Sequence, residues 1–416
     1  MDSNTGLIQS IFWIKLAPHI IVKLCNYRQF HDSKFAQRSS KALMKILQVC
    51  SASEMGGGEV HVADLVRGLA SRGHALYLAV RPDSPLRGPL AGVNASWHEM
   101  PLRNSLDLQS AREIARLSLE HDIDIVHAHM GRDYLVAALA CKQAANVKLV
   151  LTRHHYLPLK RGALYRWMLR DIAAIIAVSD SVRESVIERL QISPQRVRML
   201  PNWIDPDRFK PSDRDEARSM FKVRSNIVVA CIGQITNAKG QEEFVRAAAS
   251  LARIRADVEF LIAGEEHDEE KSFTRHLEGL ASSLGLGDKL RFLGRISHVP
   301  ELLAAVDVVV VPSWDEGFSL VTIEAMAARR AVLASNVGGI AGIIKDNVTG
   351  LMFPPRDVHA LTDKLLWLVS DAPLRERLSV QGQRDVYMRF GRDQIIDQIE
   401  ALYVEVMRDT SVVRSP

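Results

Sequence analysis

The 416-residue chain is short of cysteine, with four in all, and Cys25, Cys50, Cys141 and Cys231 include no C-x-x-C spacing. That excludes a disulfide framework and a cysteine-based zinc site, and it reads as buried small hydrophobes in a reducing cytosol. Long uninterrupted apolar runs are missing too. The nearest, "GLIQSIFWIKLAPHIIVKL", is broken by Lys15, Pro18 and Lys23, and no small-residue cleavage site follows it. It is a poor bilayer span and a poor secretory signal, which leaves residues 1–43 as an interfacial amphipathic helix or a non-native extension ahead of a start at Met44. There is no low-complexity tract, and the net charge is only +4. That charge is unevenly placed: residues 1–205 hold 26 Lys and Arg against 18 Asp and Glu, and residues 206–416 hold 27 against 31. The basic half suits a phosphate-bearing ligand or an anionic membrane, or is simply a solvated face; nucleic acid is not an expected partner.

What is present is a length sufficient for two ordinary domains at 47% hydrophobic and 25% charged residues. From "MKILQVCS" onward, β-branched runs ("ALYLAV", "IDIVHAH", "VKLVLT", "AAIIAVS") alternate with helical patterns such as "EVHVADLVRGLASRG", which ends at the capping Gly73. The pattern pauses at "LPNWIDPDRFKPSDRDEARSMF" and restarts with "NIVVACIG", "VEFLIAG", "LRFLG", "VDVVVVPS", "AVLASN" and "GLMFPP". Alternation of this kind predicts an α/β chain with two doubly wound parallel sheets. Ligands of such sheets sit beyond the carboxyl ends of the strands, so the chemistry belongs in the strand-to-helix loops.

Four of those loops carry candidates. "SASEMGGGEVH" places Gly56, Gly57 and Gly58 before a helix, either for close backbone approach to a phosphate or for a tight turn needing positive φ; it is not G-x-G-x-x-G. "VHAH" and "LTRHHY" end neighbouring strands with His127, His129, His154 and His155. His127 reads as a satisfied buried histidine, whereas His129 and one of His154 or His155 are placed to bind hydroxyls or phosphates. With no Cys or carboxylate at ligand spacing, no metal site is expected. "CIGQITNAKGQEEF" brings Lys239 and Gly240 to a helix start, where a lysine opposes the helix dipole unless an anion lies between them or the lysine is simply exposed. Finally, "VPSWDEGFSLVTIEAMA" places Ser319 as an N-cap, so that the amides near Phe318, Ser319 and Leu320 suit a diphosphate. Glu324 follows on the helix, reaching a ribose, and Glu316 on the loop meets sugar hydroxyls.

Together these loops resemble glycosyltransferase family 4, retaining nucleotide-sugar enzymes with two facing Rossmann-like domains, the GT-B fold. The resemblance covers residues 44 to about 405 and is carried by E-x(7)-E at Glu316 and Glu324, "GGGEVHVADLVRGLASRGHAL", "AVSDSV", "LPNWID", Lys239-Gly240 and "NVTGLMFPPRD". It implies an acceptor-side domain over residues 44–205, a donor-binding domain over 206–390, and a C-terminal helix in 391–416 packing back on the first domain. By resemblance, Glu324 takes the ribose and Glu316 the donor sugar. Lys239 and the Phe318–Leu320 amides take the diphosphate, with Gly57 and Gly58 near it. Ile296, in "LGRIS", lies by the base, His129 meets the reacting sugar or acceptor, and Arg132, His154 and His155 lie on the acceptor side. Where the family has Arg after the strand glycine, this chain has Gln234. The implied reaction is metal-independent transfer, with retention, from a nucleotide-diphosphate sugar to a hydroxyl of a glycan or lipid-linked acceptor in cell-envelope polysaccharide or glycolipid synthesis. The implied setting is cytoplasmic, peripheral at an anionic membrane through "LPLKRGALYRWMLR". The alternatives are a nucleotide-sugar epimerase or phosphorylase on the same fold, or a non-catalytic nucleotide-sugar-binding protein.

Overall fold

The computed structural model describes residues 43–144, 147–155, 162–209, 213–268 and 270–409. All but the last residue of the 1–43 segment, and the Lys160 and Arg161 of the basic segment, therefore lie outside the described residues. The front sheet has seven strands, β1 (Lys45–Cys50), β2 (Ala75–Val80), β3 (Ser96–Glu99), β4 (Ile125–Ala128), β5 (Lys148–Arg153), β6 (Ala174–Ala177) and β7 (Val197–Met199), in the order β3-β2-β1-β4-β5-β6-β7. The back sheet has six, β8 (Ile227–Ile232), β9 (Val258–Ala263), β10 (Leu290–Phe292), β11 (Val308–Val311), β12 (Ala331–Ser335) and β13 (Leu351–Phe353), in the order β10-β9-β8-β11-β12-β13. Each pairing among these strands is parallel, from Lys45 opposite Ala75 to Ser335 opposite Phe353. In both sheets the strand order reverses between the first and fourth strands, at β1/β4 and at β8/β11, which is where doubly wound sheets open a crevice.

The apolar runs form strands buried on both faces because helices cover them: Val308, Val309 and Val310 are fully buried and Val311 nearly so. One core unites the two sheets at the base of the cleft, where Phe209, Phe318 and Phe390 join Leu47, Val126, Val309 and Met326. A second fills the outer face of the back sheet around Phe244 and Phe260. The third, on the outer face of the front sheet, includes residues from the far end of the chain. Ile395, Ile396, Ile399, Leu402, Tyr403 and Val406 of the Arg392–Arg408 helix pack with Ile46, Val62 and Leu65. Buried polar contacts pin that helix: His74 Nδ1 accepts the Met44 N–H at 3.1 Å, so its Nε2–H faces Glu400 at 3.0 Å, and Tyr403 Oη meets His127 Nδ1 at 2.6 Å.

The chain passes between the sheets twice, and the two passages are joined. Ile204 N–H donates to the Phe390 carbonyl at 2.8 Å, and Arg392 N–H donates to the Ile204 carbonyl at 3.0 Å, a single parallel bridge from Ile204 to Gly391. Arg392 also pairs with Asp205. Cys50, Cys141 and Cys231 are buried and unbridged. Among the described residues no helix is long and apolar enough to cross a membrane.

Candidate functional site

The site grows from the loops after β8 and β11. β8 runs out through Gly233, and the Asn237–Lys239 turn is stopped by Gly240 at φ 70°. A Cβ on Gly240 would stand 2.1 Å from the Pro312 carbonyl oxygen, so the absence of a side chain lets the β8 loop lie directly on the β11 loop. Trp314 N–H donates to the Ala238 carbonyl at 2.8 Å across the same seam. The consequence is a contact: Lys239 Nζ lies 2.5 Å from Glu316 Oε2, which also accepts from Ser313 Oγ at 3.2 Å. The two charges assigned separately to the diphosphate and the sugar are therefore neighbours.

Glu316 is fixed from behind as well, since its carbonyl accepts the Gly339 N–H at 2.8 Å. Gly317 is closed in on the other side, because a Cβ there would stand 2.4 Å from the His154 carbonyl oxygen of the front half. Ser319 caps the Leu320–Ala327 helix, its Oγ accepting from Thr322 N–H at 3.3 Å. Glu324, half-buried on that helix, has Arg208 and Asp64 as its charged neighbours, and burial raises its carboxyl above the ordinary value. Ile296 is half-buried against the shared core after β10. Gln234 is exposed, and its carbonyl accepts from Gln241 Nε2 at 2.8 Å. The neighbouring Arg295 pairs with Glu265 at 3.2 Å.

Opposite lies a cavity of about 430 Å³ lined by the 52–59 loop, residues 129–132, Tyr134, Arg153, His154 and His155, with Gln234 and His267 from the back half. None of the three glycines in the 56–58 stretch has positive φ, so the tight-turn alternative does not hold. They give clearance instead: Cβ atoms on Gly57 and Gly58 would stand 3.1 Å from Leu320 and 3.7 Å from His154. The first turn carries its own acid, Glu59, whose carboxylate accepts the Gly56 N–H at 2.8 Å.

His127 is the satisfied buried histidine its position predicts, bonded to Tyr403 Oη and, at 2.7 Å, to Thr152 Oγ1. His129 Nε2 meets Gln48 Oε1 at 2.6 Å; an amide oxygen only accepts, so Nε2 carries the proton and Nδ1 is left as a lone pair without a hydrogen-bond partner. His154 and His129 are buried while His155 is exposed. The sequence reading missed His61, whose ring lies 4.7 Å from that of His154 and 4.2 Å from that of Trp203. A polar residue in register with Leu65 and Gly68 on the buried helix face was the available signal. Burial pushes His61 down to about 3 and holds His129 and His154 well below the ordinary imidazole value, so all three are neutral. Their candidate ligand nitrogens lie within 4.8 Å of one another, against about 3.4 Å for a tetrahedral zinc shell. The other residues missed are Gln48, a lone amide in an apolar strand, and Arg153, the last residue of β5.

Residues 55–208 match the family model described as Glycosyltransferase Family 4, and residues 213–385 match Glycosyl transferases group 1. The chain is 26% identical over 382 residues to N-acetyl-alpha-D-glucosaminyl L-malate synthase of Bacillus anthracis, covering 88% of this chain and 98% of that protein. It is 29% identical over 393 residues to D-inositol 3-phosphate glycosyltransferase of Geodermatophilus obscurus, covering 85% of each. Anabaena HepE, solved in complex with UDP, has the same fold at a TM-score of 0.78 and 22% identity, covering 87% of this chain and 100% of that one. With both halves matched by glycosyltransferase families and both sheets arranged on the GT-B plan, the chain is a family 4-like glycosyltransferase.

Proposed function

We propose that this glycosyltransferase takes a sugar from a nucleoside-diphosphate sugar and transfers it, with retention and without a metal ion, to a hydroxyl of a glycan or lipid-linked acceptor. The observation that carries the reading is the Lys239–Glu316 contact at the β8/β11 switch point, with the Ser319-capped helix and Glu324 beside it. A diphosphate at that place draws on Lys239 and the helix N-terminus, Glu324 accepts the ribose hydroxyls, and Glu316 turns to the sugar. The bond from the anomeric carbon to phosphate oxygen breaks, its electron pair leaving with the nucleoside diphosphate. The acceptor oxygen bonds to the same face and its proton passes to the departing phosphate. His129 Nδ1 is the lone pair available to a hydroxyl during approach. The UDP held by HepE supports the choice of donor class.

A cytoplasmic, envelope-building setting is part of the proposal, with the front half meeting an anionic membrane. Exposed Trp167, flanked by Arg166 and Arg170, supports it. Incubation with UDP-, GDP- and ADP-sugars after dialysis against EDTA tests the chemistry, the expected result being slow release of one nucleotide. No release and no nucleotide binding overturns it. Liposome co-sedimentation at low salt tests the setting, and lack of binding there removes it.

A further inference from the structure

Three imidazoles meet beside the front-half cavity, and the transfer reading uses a single atom of them. His61 comes from the Gly57–Ser71 helix, His129 directly follows β4 and His154 directly follows β5. They are 3%, 2% and 8% exposed, and His129 and His154 line the cavity, which gives a small ion its way in. Their ring centres stand 4.7, 5.9 and 6.1 Å apart, where imidazoles about 2.1 Å from one tetrahedral ion have centres roughly 5 Å apart. The ligand nitrogens, within 4.8 Å of one another, close on such an ion by turning of the rings. Gly58 leaves the His154 ring room to turn, since it puts no side chain against it.

The chemistry of the donor set selects the ion. Gln48 Oε1 holds the His129 Nε2–H at 2.6 Å, which leaves Nδ1 as the ligand and supplies the outer hydrogen bond that orients a metal-bound histidine. Among the described residues neither nitrogen of His154 has a hydrogen-bond partner, and Asn202, beside His61, serves one of its two nitrogens at most. Packing alone gives no reason for polar atoms left unpaired out of water. All three rings are neutral, so no proton has to leave before a cation binds. Among the described residues no carboxylate joins the cluster. Three neutral nitrogens suit a borderline cation such as Zn²⁺, Co²⁺ or Ni²⁺, and not Mg²⁺ or Ca²⁺, which take oxygen. Arg153, whose charge reaches His154, opposes the cation and keeps the site weak.

We propose that His61, His129 and His154 form a three-histidine site for a borderline divalent cation on the acceptor side of the cleft, and that its occupancy inhibits the enzyme. The ion is no part of the transfer chemistry. It takes the His129 Nδ1 lone pair that the transfer reading gives to the approaching hydroxyl. The inhibition rests on that reading, whereas the binding of the ion does not.

The test is a titration of Co²⁺ into the full chain, stripped with EDTA and then freed of it, read by the visible bands that cobalt acquires in a four-coordinate nitrogen site. Wild type is expected to give the bands at one equivalent, with Zn²⁺ abolishing them and Mg²⁺ not. His61→Phe and His154→Phe are expected to weaken cobalt binding at least about tenfold, and Gln48→Leu, which keeps the three ligands and drops the outer hydrogen bond, about tenfold. Absence of the bands in wild type overturns the site, as does unchanged affinity in either histidine variant. The exposed pairs His276–Glu242 and His359–Asp363 are the surface sites that compete for cobalt, so loss of the bands in a His276→Ala, His359→Ala double variant overturns it too. Where a histidine variant fails to fold, Gln48→Leu still decides, because unchanged affinity there removes His129 as a ligand. In turnover assays the zinc concentration for half-inhibition is expected to rise at least about tenfold in His61→Phe, and equal sensitivity to wild type overturns the inhibition. Should no nucleotide sugar be turned over, the transfer reading falls, and the cobalt titration still decides the site.

Discussion

In the proposed reading Lys239 is the cation that the diphosphate meets in the back half; the next candidate, Arg295, is 64% exposed at its side chain and paired with Glu265. Lys239→Ala is therefore expected to lower turnover at least tenfold, the order of one lost charge-assisted hydrogen bond in the transition state. Gln234→Ala costs clearly less, because the backbone carbonyl of Gln234, not its amide side chain, holds Gln241. Steady-state kinetics with one donor compares the two, and greater damage from Gln234→Ala would displace the phosphate from this loop. Glu324 gives a pH signature. Burial raises its carboxyl above the ordinary carboxylate value, and in the proposed reading the ribose hydroxyls need its ionised form as acceptor. Nucleotide affinity present at neutral pH is thus lost as pH falls through that raised value, and Glu324→Gln lacks this component. Calorimetry between pH ~7.5 and ~5 on both proteins cancels the titration of the nucleotide itself. The placement of Glu316, Glu324 and Lys239 after β8 and β11 was legible because each sits at fixed spacing from a turn or cap that local sequence encodes. His61, Gln48 and Arg153 were not, because what makes them matter is who their neighbours are across the sheet: Gln48 reaches His129 from the adjacent strand.

At the scale of elements, the loops after β8 and β11 work as one body because Gly240 admits the Pro312 backbone. Gly240→Ala introduces strain at φ 70° and a clash with Pro312, and is expected to cost at least about 2 kcal/mol of stability. It should also lower turnover by displacing Lys239 from Glu316. Gly279, with open space around it in the Ser272–Ser283 helix, is the control: Gly279→Ala is expected to stabilise by about 0.5–1 kcal/mol in urea unfolding. Equal behaviour of the two variants would remove the close approach as the reason for Gly240. The sequence reading identified the apolar strands, among them the back sheet's edge strands β10 and β13. β3, "SWHE", and β7, "VRM", escaped it, since they are short, only partly buried and carry no apolar run. Helix ends were more legible, as at Ser319, because a cap is a local hydrogen bond written in a few consecutive residues.

At the scale of the molecule, the Arg392–Arg408 helix completes the core of the front sheet. Tyr403 is fully buried there. Tyr403→Ala is expected to destabilise by about 3–5 kcal/mol, and Tyr403→Phe, which keeps the ring and drops the bond to His127, by about 1 kcal/mol. Chemical unfolding followed by intrinsic fluorescence measures both, and similar losses in the two would mean that the hydroxyl, not the packed ring, holds the helix.

The bridge between Ile204 and Gly391 also sets a timetable for birth on the ribosome. The first sheet to leave the exit tunnel is the last to be finished, because part of its outer layer is encoded beyond residue 391. At synthesis speeds of 5–20 residues per second the interval is roughly 10–40 s. Throughout it, Ile46, Val62 and Leu65 lack their cover, while the second sheet has all its strands and can close. A nascent chain arrested before residue 391 then carries that apolar face uncovered in its older half, and emergence of the final helix is the event that closes it.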